Sequence, residues 1–168
     1  MREQRGNMWT LHDNGSIVCV TTNGIIKSGG VAVMGRGVAL SAAQRFPTLP
    51  KVLAACLTKY GNRVFYFGKI NLITFPTKND WRDKSDIELI KTSCTQLMEI
   101  INKYELKEVF LPRPGCANGG LNWADVKAHV APLLDDRVVI ISMDSSIDIM
   151  FEQEKNKNIA MLKKDMPY

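Results

Sequence analysis

Short apolar runs that alternate with segments of helical period constrain the fold of this chain most. The runs are almost continuously apolar and rich in β-branched and aromatic residues, which predicts strands that are buried on both faces. They cover residues 17–20, 64–67, 72–75, 109–111 and 138–141. Strands that alternate with helices predict the α/β class, as a three-layer α/β/α sandwich with a mostly parallel or mixed central sheet of about six strands.

Two of the intervening segments show the helical period. In residues 86–102 the apolar side chains form one stripe, at Ile87, Ile90, Cys94, Leu97 and Ile101. Ser85 and Glu88, three residues apart, predict a capping box at the start of this helix. Residues 122–134 repeat the apolar period, and Asn122 is a good N-cap residue. We therefore expect one helix in each segment.

The length and composition predict one globular domain. The chain has 168 residues, of which 45% are hydrophobic and 23% are charged, and these values are typical of globular proteins. We assign residues 1–156 to the domain, and the polar, lysine-rich residues 157–168 to a tail or a short helix. The sequence has no apolar stretch of ~20 residues and no secretory signal, so we expect a cytoplasmic protein that does not enter a membrane. Nothing in the sequence demands more than a monomer.

The cysteines and the net charge restrict the chemistry. Cys19, Cys56, Cys94 and Cys116 are widely spaced and form no Cys-x-x-Cys pair, and the chain has two histidines. A zinc site needs clustered ligands, so we predict free thiols and no metal. The formal net charge of +5 favours an anionic partner without identifying it.

Three loops follow predicted strands, at the strand ends where sheets of this class bind ligands. The first loop, residues 21–37, contains five glycines and leads into a helix of small residues at 38–43. The second loop, residues 75–83, is polar, and the third loop, residues 111–123, has the same plan as the first. The free N–H groups at a helix start favour phosphate, so the first and third loops together predict a diphosphate site. A glycine-rich connector is the alternative for either loop alone.

The first and third loops resemble the two ligand loops of the macrodomain family. Residues 33–39 are similar to one of these loops and residues 112–123 to the other. The similarity extends from about residue 7 to about residue 141, and it is closest to the DarG-like branch, which contains ADP-ribosyl glycohydrolases. The resemblance implies the macrodomain fold, with a cleft for ADP-ribose at the edge of the sheet.

The resemblance also implies how the ligand would be held. The first loop would contact the diphosphate, the third loop would wrap the diphosphate and the distal ribose, and Asn23 would reach that ribose. Asn7 stands where the family often places an aspartate that recognises adenine. The ligand-binding residues implied in this way are Asn7, Met8, Asn23, Val33, Met34, Gly35, Arg36, Gly37, Val38, Pro114, Gly115, Cys116, Ala117, Asn118, Gly119, Gly120 and Leu121.

The second loop bears on catalysis. A lone lysine in such a connector is ordinarily a solvated surface residue. The stretch at 75–78, followed closely by Trp81, is however similar to the loop that carries the catalytic lysine in the DarG-like branch, which implies a catalytic Lys78. A lysine amine can open the sugar or capture it as a Schiff base. The amine must be unprotonated, so we expect desolvation or a nearby cation, such as Arg82 or Arg113.

A carboxylate is needed to carry the proton to the leaving group. Asp80 and Asp83 are the candidates in the second loop, and we select Asp83, whose alternative role is a favourable charge near a helix start. Family members that pair the lysine with an aspartate carry that aspartate in the third loop, where this chain has none. Neither histidine is near Cys116 in the sequence, so we expect Cys116 to present its backbone rather than act as a nucleophile.

We therefore predict a metal-independent ADP-ribosyl glycohydrolase that needs no cofactor, with ADP-ribose as ligand or product. The resemblance implies an ADP-ribosylated macromolecule as the substrate, in particular DNA modified on a base. The alternatives are a reader that binds ADP-ribose without cleaving it, a phosphatase acting on ADP-ribose 1″-phosphate, and an unrelated nucleotide-binding regulatory domain.

Overall fold

The computed structural model describes residues 1–142 of the chain, so the predicted tail at 157–168 and the domain boundary at 156 lie outside the described residues. The strands are β1 Arg2–Arg5, β2 Ile17–Thr22, β3 Ile26–Lys27, β4 Val31–Ala32, β5 Phe65–Phe67, β6 Leu72–Pro76, β7 Val109–Pro112 and β8 Val138–Ser142. The helices are α1 Met8–Asp13, α2 Gly37–Arg45, α3 Leu49–Tyr60, α4 Ile87–Lys103 and α5 Trp123–Val130. Short 3-10 turns cover Gly68–Ile70 and Ala131–Leu133.

Six strands form one mixed sheet in the order β1-β8-β7-β2-β6-β5. All neighbouring pairs are parallel except β5 and β6, which are antiparallel. The two remaining strands, β3 and β4, form a separate hairpin. The predicted mixed sheet of about six strands is therefore confirmed, and each of the five apolar runs overlaps one of its strands, although Val64 of the second run precedes β5.

The sheet separates two apolar layers. Alternate residues of a strand point to opposite faces, so Val18 and Val20 of β2 pack with α2 and α3, whereas Cys19 between them packs with α4 and α5. The other central strands divide in the same way, as Phe110 of β7 lies in the first layer and Leu111 in the second. Helices therefore cover both faces, as the α/β/α prediction requires.

Three features at the element ends differ from the sequence-based expectations. The capping box at Ser85 is wrong, because Asp86 is the N-cap of α4 and its carboxylate accepts hydrogen bonds from the main-chain N–H groups of Glu88 and Leu89. Strand β1 was not predicted, since its four residues are exposed and polar and give no apolar pattern. The helix predicted at 122–134 ends at Val130 and continues as a 3-10 turn, although Asn122 is its N-cap as expected.

Candidate active site

The carboxyl ends of β7, β2 and β6 lie side by side in the sheet, so the three loops that follow them meet at one edge. They enclose a cavity of about 400 Å³, a volume within the range of small-molecule sites. Thirteen residues of the predicted site line this cavity: Asn23, Val33, Met34, Gly35, Arg36, Gly37, Val38, Lys78, Gly115, Cys116, Ala117, Asn118 and Gly119.

Six predicted site residues do not line the cavity. The side chain of Asn7 caps α1 by accepting hydrogen bonds from the N–H groups of Trp9 and Thr10, and the neighbouring Met8 is buried in the core. Asp83 and Gly120 are exposed, whereas Pro114 is buried and Leu121 packs against the layer formed by α4 and α5. These residues were Asn7, Met8, Asp83, Pro114, Gly120 and Leu121.

The lining also contains residues that were not predicted as part of the site. Half of these eight residues lie at strand ends, since Thr21 and Thr22 finish β2, Thr77 follows β6 and Pro112 finishes β7. The position of a residue at the carboxyl end of a predicted strand is the signal that could have identified them. The others are Ala39, Trp81, Ser85 and Arg113.

The first loop is shaped by Asn23 and Gly37. The side chain of Asn23 donates a hydrogen bond to the main-chain oxygen of Val33 at 2.9 Å and accepts one from the N–H of Ile25 at 2.9 Å. Asn23 thus ties together both arms of the β3–β4 hairpin. Gly37 has a φ of 55°, and a Cβ there would lie 2.9 Å from the side-chain nitrogen of Asn118. The first and third loops therefore approach each other closely at Gly37, which only glycine allows without strain.

The third loop folds back on itself and leans on the start of α4. The N–H of Leu121 donates to the oxygen of Gly115 at 2.9 Å, and the N–H of Ser85 donates to the oxygen of Gly119 at 3.0 Å. A Cβ on Gly119 would lie 2.1 Å from Oγ of Ser85 and 2.4 Å from the oxygen of Gly115. The loop therefore packs too tightly at Gly119 to admit a side chain.

The second loop places Lys78 against the third loop. Nζ of Lys78 donates a hydrogen bond to the main-chain oxygen of Asn118 at 3.2 Å. The backbone behind this lysine is also held, because the N–H of Thr77 donates to Thr22 at 3.0 Å and the N–H of Gly24 donates to Asn79 at 3.1 Å. Lys78 is a half-buried residue, and its amine is thus held at the junction between two of the cavity walls.

The charges of the cavity are cationic. Arg36, Lys78 and Arg113 line it, and no carboxylate of residues 1–142 does. The guanidinium of Arg82 hydrogen-bonds both carboxylate oxygens of Asp80 and lowers the pKa of this carboxyl to about 2. Asp80 therefore stays ionised near neutral pH and is occupied by Arg82. Such a lining suits an anionic ligand.

The cysteines do not provide a nucleophile of raised reactivity. Burial raises the pKa of the Cys116 thiol, and the opposing effect of Arg113 is smaller. Burial also raises the pKa of Cys94 to about 12. All four cysteines are free, and the described part of the chain contains no group of three or more His, Cys, Asp and Glu side chains that could hold a metal ion.

No family model matches the chain, but comparison with curated proteins finds relatives of similar sequence. The DNA ADP-ribosyl glycohydrolase of Mycobacterium tuberculosis is 32% identical over 111 residues, which are 60% of this chain and 31% of that protein. The DNA ADP-ribosyl glycohydrolase of Thermus aquaticus is 32% identical over 115 residues, 62% of this chain and 32% of that protein. The chain spans about a third of the length of these curated relatives.

A solved structure decides the fold. The macrodomain of Thermus aquaticus DarG matches with a TM-score of 0.69 and 26% identity, over 86% of this chain and 97% of that one. The chain has the macrodomain fold. This macrodomain matches that of Mycobacterium tuberculosis DarG equally well, with a TM-score of 0.69 and 25% identity over the same shares of both chains. The DarG-like resemblance predicted from the loops is thereby confirmed.

No helix within residues 1–142 is long and apolar enough to span a membrane.

Proposed function

We propose that this macrodomain binds ADP-ribose in the cavity and hydrolyses it from ADP-ribosylated DNA, at a modified base. The relatives named DNA ADP-ribosyl glycohydrolase support this reaction. The volume of the cavity and the three cations in its lining suit a nucleotide diphosphate. In this proposal the protein acts as a monomer in the cytoplasm and needs no cofactor.

The position of Lys78 carries the proposal. Its amine donates a hydrogen bond to the main-chain oxygen of Asn118, so it lies at the contact between the second and third loops. A lysine at the wall of a concave site, held by a backbone carbonyl, is positioned for attack on a bound sugar.

In the proposed reaction the Lys78 amine is the nucleophile. The carbon that joins ADP-ribose to its target, C1″, is at the oxidation level of an aldehyde. The neutral amine attacks C1″, the bond from C1″ to the target breaks, and the target leaves with a proton. The ribose ring then opens at C1″ to give a Schiff base with Lys78. Water adds to C1″, the amine departs, and free ADP-ribose is released.

In this proposal Asp83 accepts the proton that the attacking Lys78 amine loses and passes it to the leaving group. Asp80 is a poor proton carrier, because its hydrogen bonds with Arg82 keep its pKa near 2. Asp83 is exposed and does not line the cavity, so it acts through a bridging water. Asp83→Asn should lower the release rate by about tenfold or more. Asp83→Asn with an unchanged rate would remove Asp83 from the mechanism.

The test of the hydrolase compares wild type with Lys78→Ala. Release of ADP-ribose from ADP-ribosylated DNA and from ADP-ribosylated protein is measured, together with calorimetric binding of free ADP-ribose. We expect release from the DNA by wild type, loss of at least 100-fold in Lys78→Ala, and binding retained by both. Lys51→Ala, which removes an exposed lysine on α3 away from the cavity, is the matched control and should match wild type.

A reader of ADP-ribose is the second candidate, and one observation favours it. No carboxylate of residues 1–142 lines the cavity, so an acid adjacent to the leaving group is missing there. A reader would bind free ADP-ribose and release none from any substrate, and Lys78→Ala would then change nothing. Release of inorganic phosphate from ADP-ribose 1″-phosphate would instead identify a phosphatase.

A further inference from the structure

Trp81 is an exposed aromatic side chain at the wall of the cavity. It is 44% exposed. Within residues 1–142 the other exposed large apolar side chains, such as Tyr60 and Tyr104, do not line the cavity. A tryptophan buries more apolar area than other side chains when covered, so leaving this ring in water forgoes stabilisation of the fold. The ring is therefore available to a partner that reaches the cavity mouth.

Arginine side chains lie beside this ring and elsewhere in the lining of the same cavity. The guanidinium of Arg82 lies 5.9 Å from the centre of the Trp81 ring. Arg36 and Arg113 line the same cavity, and no carboxylate of the described chain lies within salt-bridge distance of either. Arg113 also lies over a second aromatic ring, with its guanidinium 5.5 Å from the centre of Trp123. An exposed aromatic ring that shares a cavity with two arginines outside any salt bridge of the described residues is a combination that suits single-stranded nucleic acids, with bases on the ring and phosphates on the cations.

We propose that Trp81 stacks on an unpaired base of the DNA strand from which ADP-ribose is removed, and that Arg36 and Arg113 contact the phosphates of that strand. The inference rests on the proposed function for the presence of ADP-ribose on the strand. Trp81 follows Lys78 by three residues in the second loop, and both residues line the cavity. When C1″ is next to Lys78, a base of the same strand is therefore near Trp81. A base inside a duplex is stacked and paired and cannot reach a ring in a cavity wall. Contact between Trp81 and a base therefore requires that the base is unpaired.

The experiment measures binding by Trp81→Ala, Trp81→Phe and wild type. Fluorescence anisotropy measures binding of an unmodified single-stranded oligonucleotide and of its duplex. Calorimetry measures binding of free ADP-ribose. Trp81→Ala should bind the single strand about tenfold more weakly, and Trp81→Phe should restore most of that loss because it keeps an aromatic face. Affinity for free ADP-ribose should stay within about twofold. With ADP-ribosylated single strands, KM should rise about tenfold while kcat holds.

Tyr104→Ala is the matched control. Tyr104 is 50% exposed, carries a lysine near its ring as Trp81 carries an arginine, and lies at the far end of α4 from the second loop. Tyr104→Ala should bind every ligand with the affinity of wild type. Unchanged single-strand binding by Trp81→Ala would overturn the inference, since the ring would then make no contact with the strand. An equal loss of affinity for free ADP-ribose would also overturn it, since the ring would then be part of the ADP-ribose cleft. No measurable single-strand binding by wild type would overturn it too.

These outcomes separate the two proposals. A wild-type protein that releases no ADP-ribose from DNA, yet binds single strands through Trp81, contradicts the hydrolase and supports the strand site. A wild-type protein that releases ADP-ribose from DNA, with no dependence on Trp81, contradicts the strand site alone.

Discussion

The side-chain amide of Asn62 donates hydrogen bonds to the main-chain oxygen of Lys78 and to Oδ1 of Asn79, each at 3.0 Å. Asn62 lies between α3 and β5, sixteen residues before Lys78, and does not line the cavity. It therefore fixes the backbone of the proposed catalytic lysine from outside the cavity.

Asn62→Ala should lower kcat by about ten- to a hundredfold, because a displacement of about 1 Å in a reacting group has an effect of that size. Binding of free ADP-ribose should stay within about twofold, since Asn62 contacts the loop and not the cavity. Steady-state release assays and calorimetry measure the two effects. Gln44→Ala, which removes an exposed amide from α2, is the control. A parallel fall in kcat and in ADP-ribose affinity would contradict a positioning role.

Asp86→Ala and Ser85→Ala should have opposite effects on stability. Asp86 caps α4 with two hydrogen bonds, so its loss should lower the free energy of unfolding by about 1 kcal/mol. Oγ of Ser85 is buried and has no hydrogen-bond partner in the described part of the protein, so removing it should be neutral or stabilising. Urea unfolding of both variants measures this difference. A large destabilisation by Ser85→Ala would show that the hydroxyl has a partner in solution.

Gly119→Ala should destabilise the third loop, whereas Gly35→Ala should not. The new Cβ on Gly119 meets the backbone oxygen of Gly115 at 2.4 Å, and overpacking of this kind costs about 1–3 kcal/mol. A Cβ on Gly35 has no atom within 4 Å, so stability should change by less than about 0.5 kcal/mol. Thermal unfolding of the two variants provides the comparison. Equal melting temperatures would mean that the third loop rearranges freely.

Thiol labelling should report occupation of the cavity. Cys19 and Cys94 are fully buried and should react with iodoacetamide only after unfolding. Cys116 lines the cavity and should react slowly at pH 8, because burial raises the pKa of its thiol and leaves little thiolate. Its rate should rise with pH and fall when ADP-ribose is bound. Mass spectrometry of digested samples resolves each cysteine, and labelling of Cys116 that ADP-ribose leaves unchanged would contradict this binding site.

Patterns that report burial allowed the centre of the fold to be predicted. Ile73 and Val109, for example, lie in strands that are apolar on both faces, and such a composition is typical of central strands in a sheet that helices cover on both sides. Strand β1 gave no such signal, since Arg2 and Glu3 are exposed at the edge of the sheet and are held there by main-chain pairing with β8. Pairing of an edge strand depends on its neighbour in space, which a sequence read alone does not contain.

The loops of the candidate site could be predicted, but the use of each side chain could not. Lys78 was selected by its surroundings in the sequence, and it lies in the lining. Asn7 was selected by position in the family pattern, yet its side chain caps α1. Asn and Ser serve as caps, turn residues or ligand contacts according to which N–H lies nearest, and a shift of one residue, as from Ser85 to Asp86, changes the role.

The loops around the cavity lead into both of the layers that the sheet separates. The first loop leads into α2, which covers one face of the sheet, whereas the second and third loops lead into α4 and α5, which cover the other. A molecule bound among these loops would contact the starts of helices from both layers and would couple the two layers to each other. Amide exchange should therefore slow together at the starts of α2 and α4 when ADP-ribose binds, although these helices share no face of the sheet.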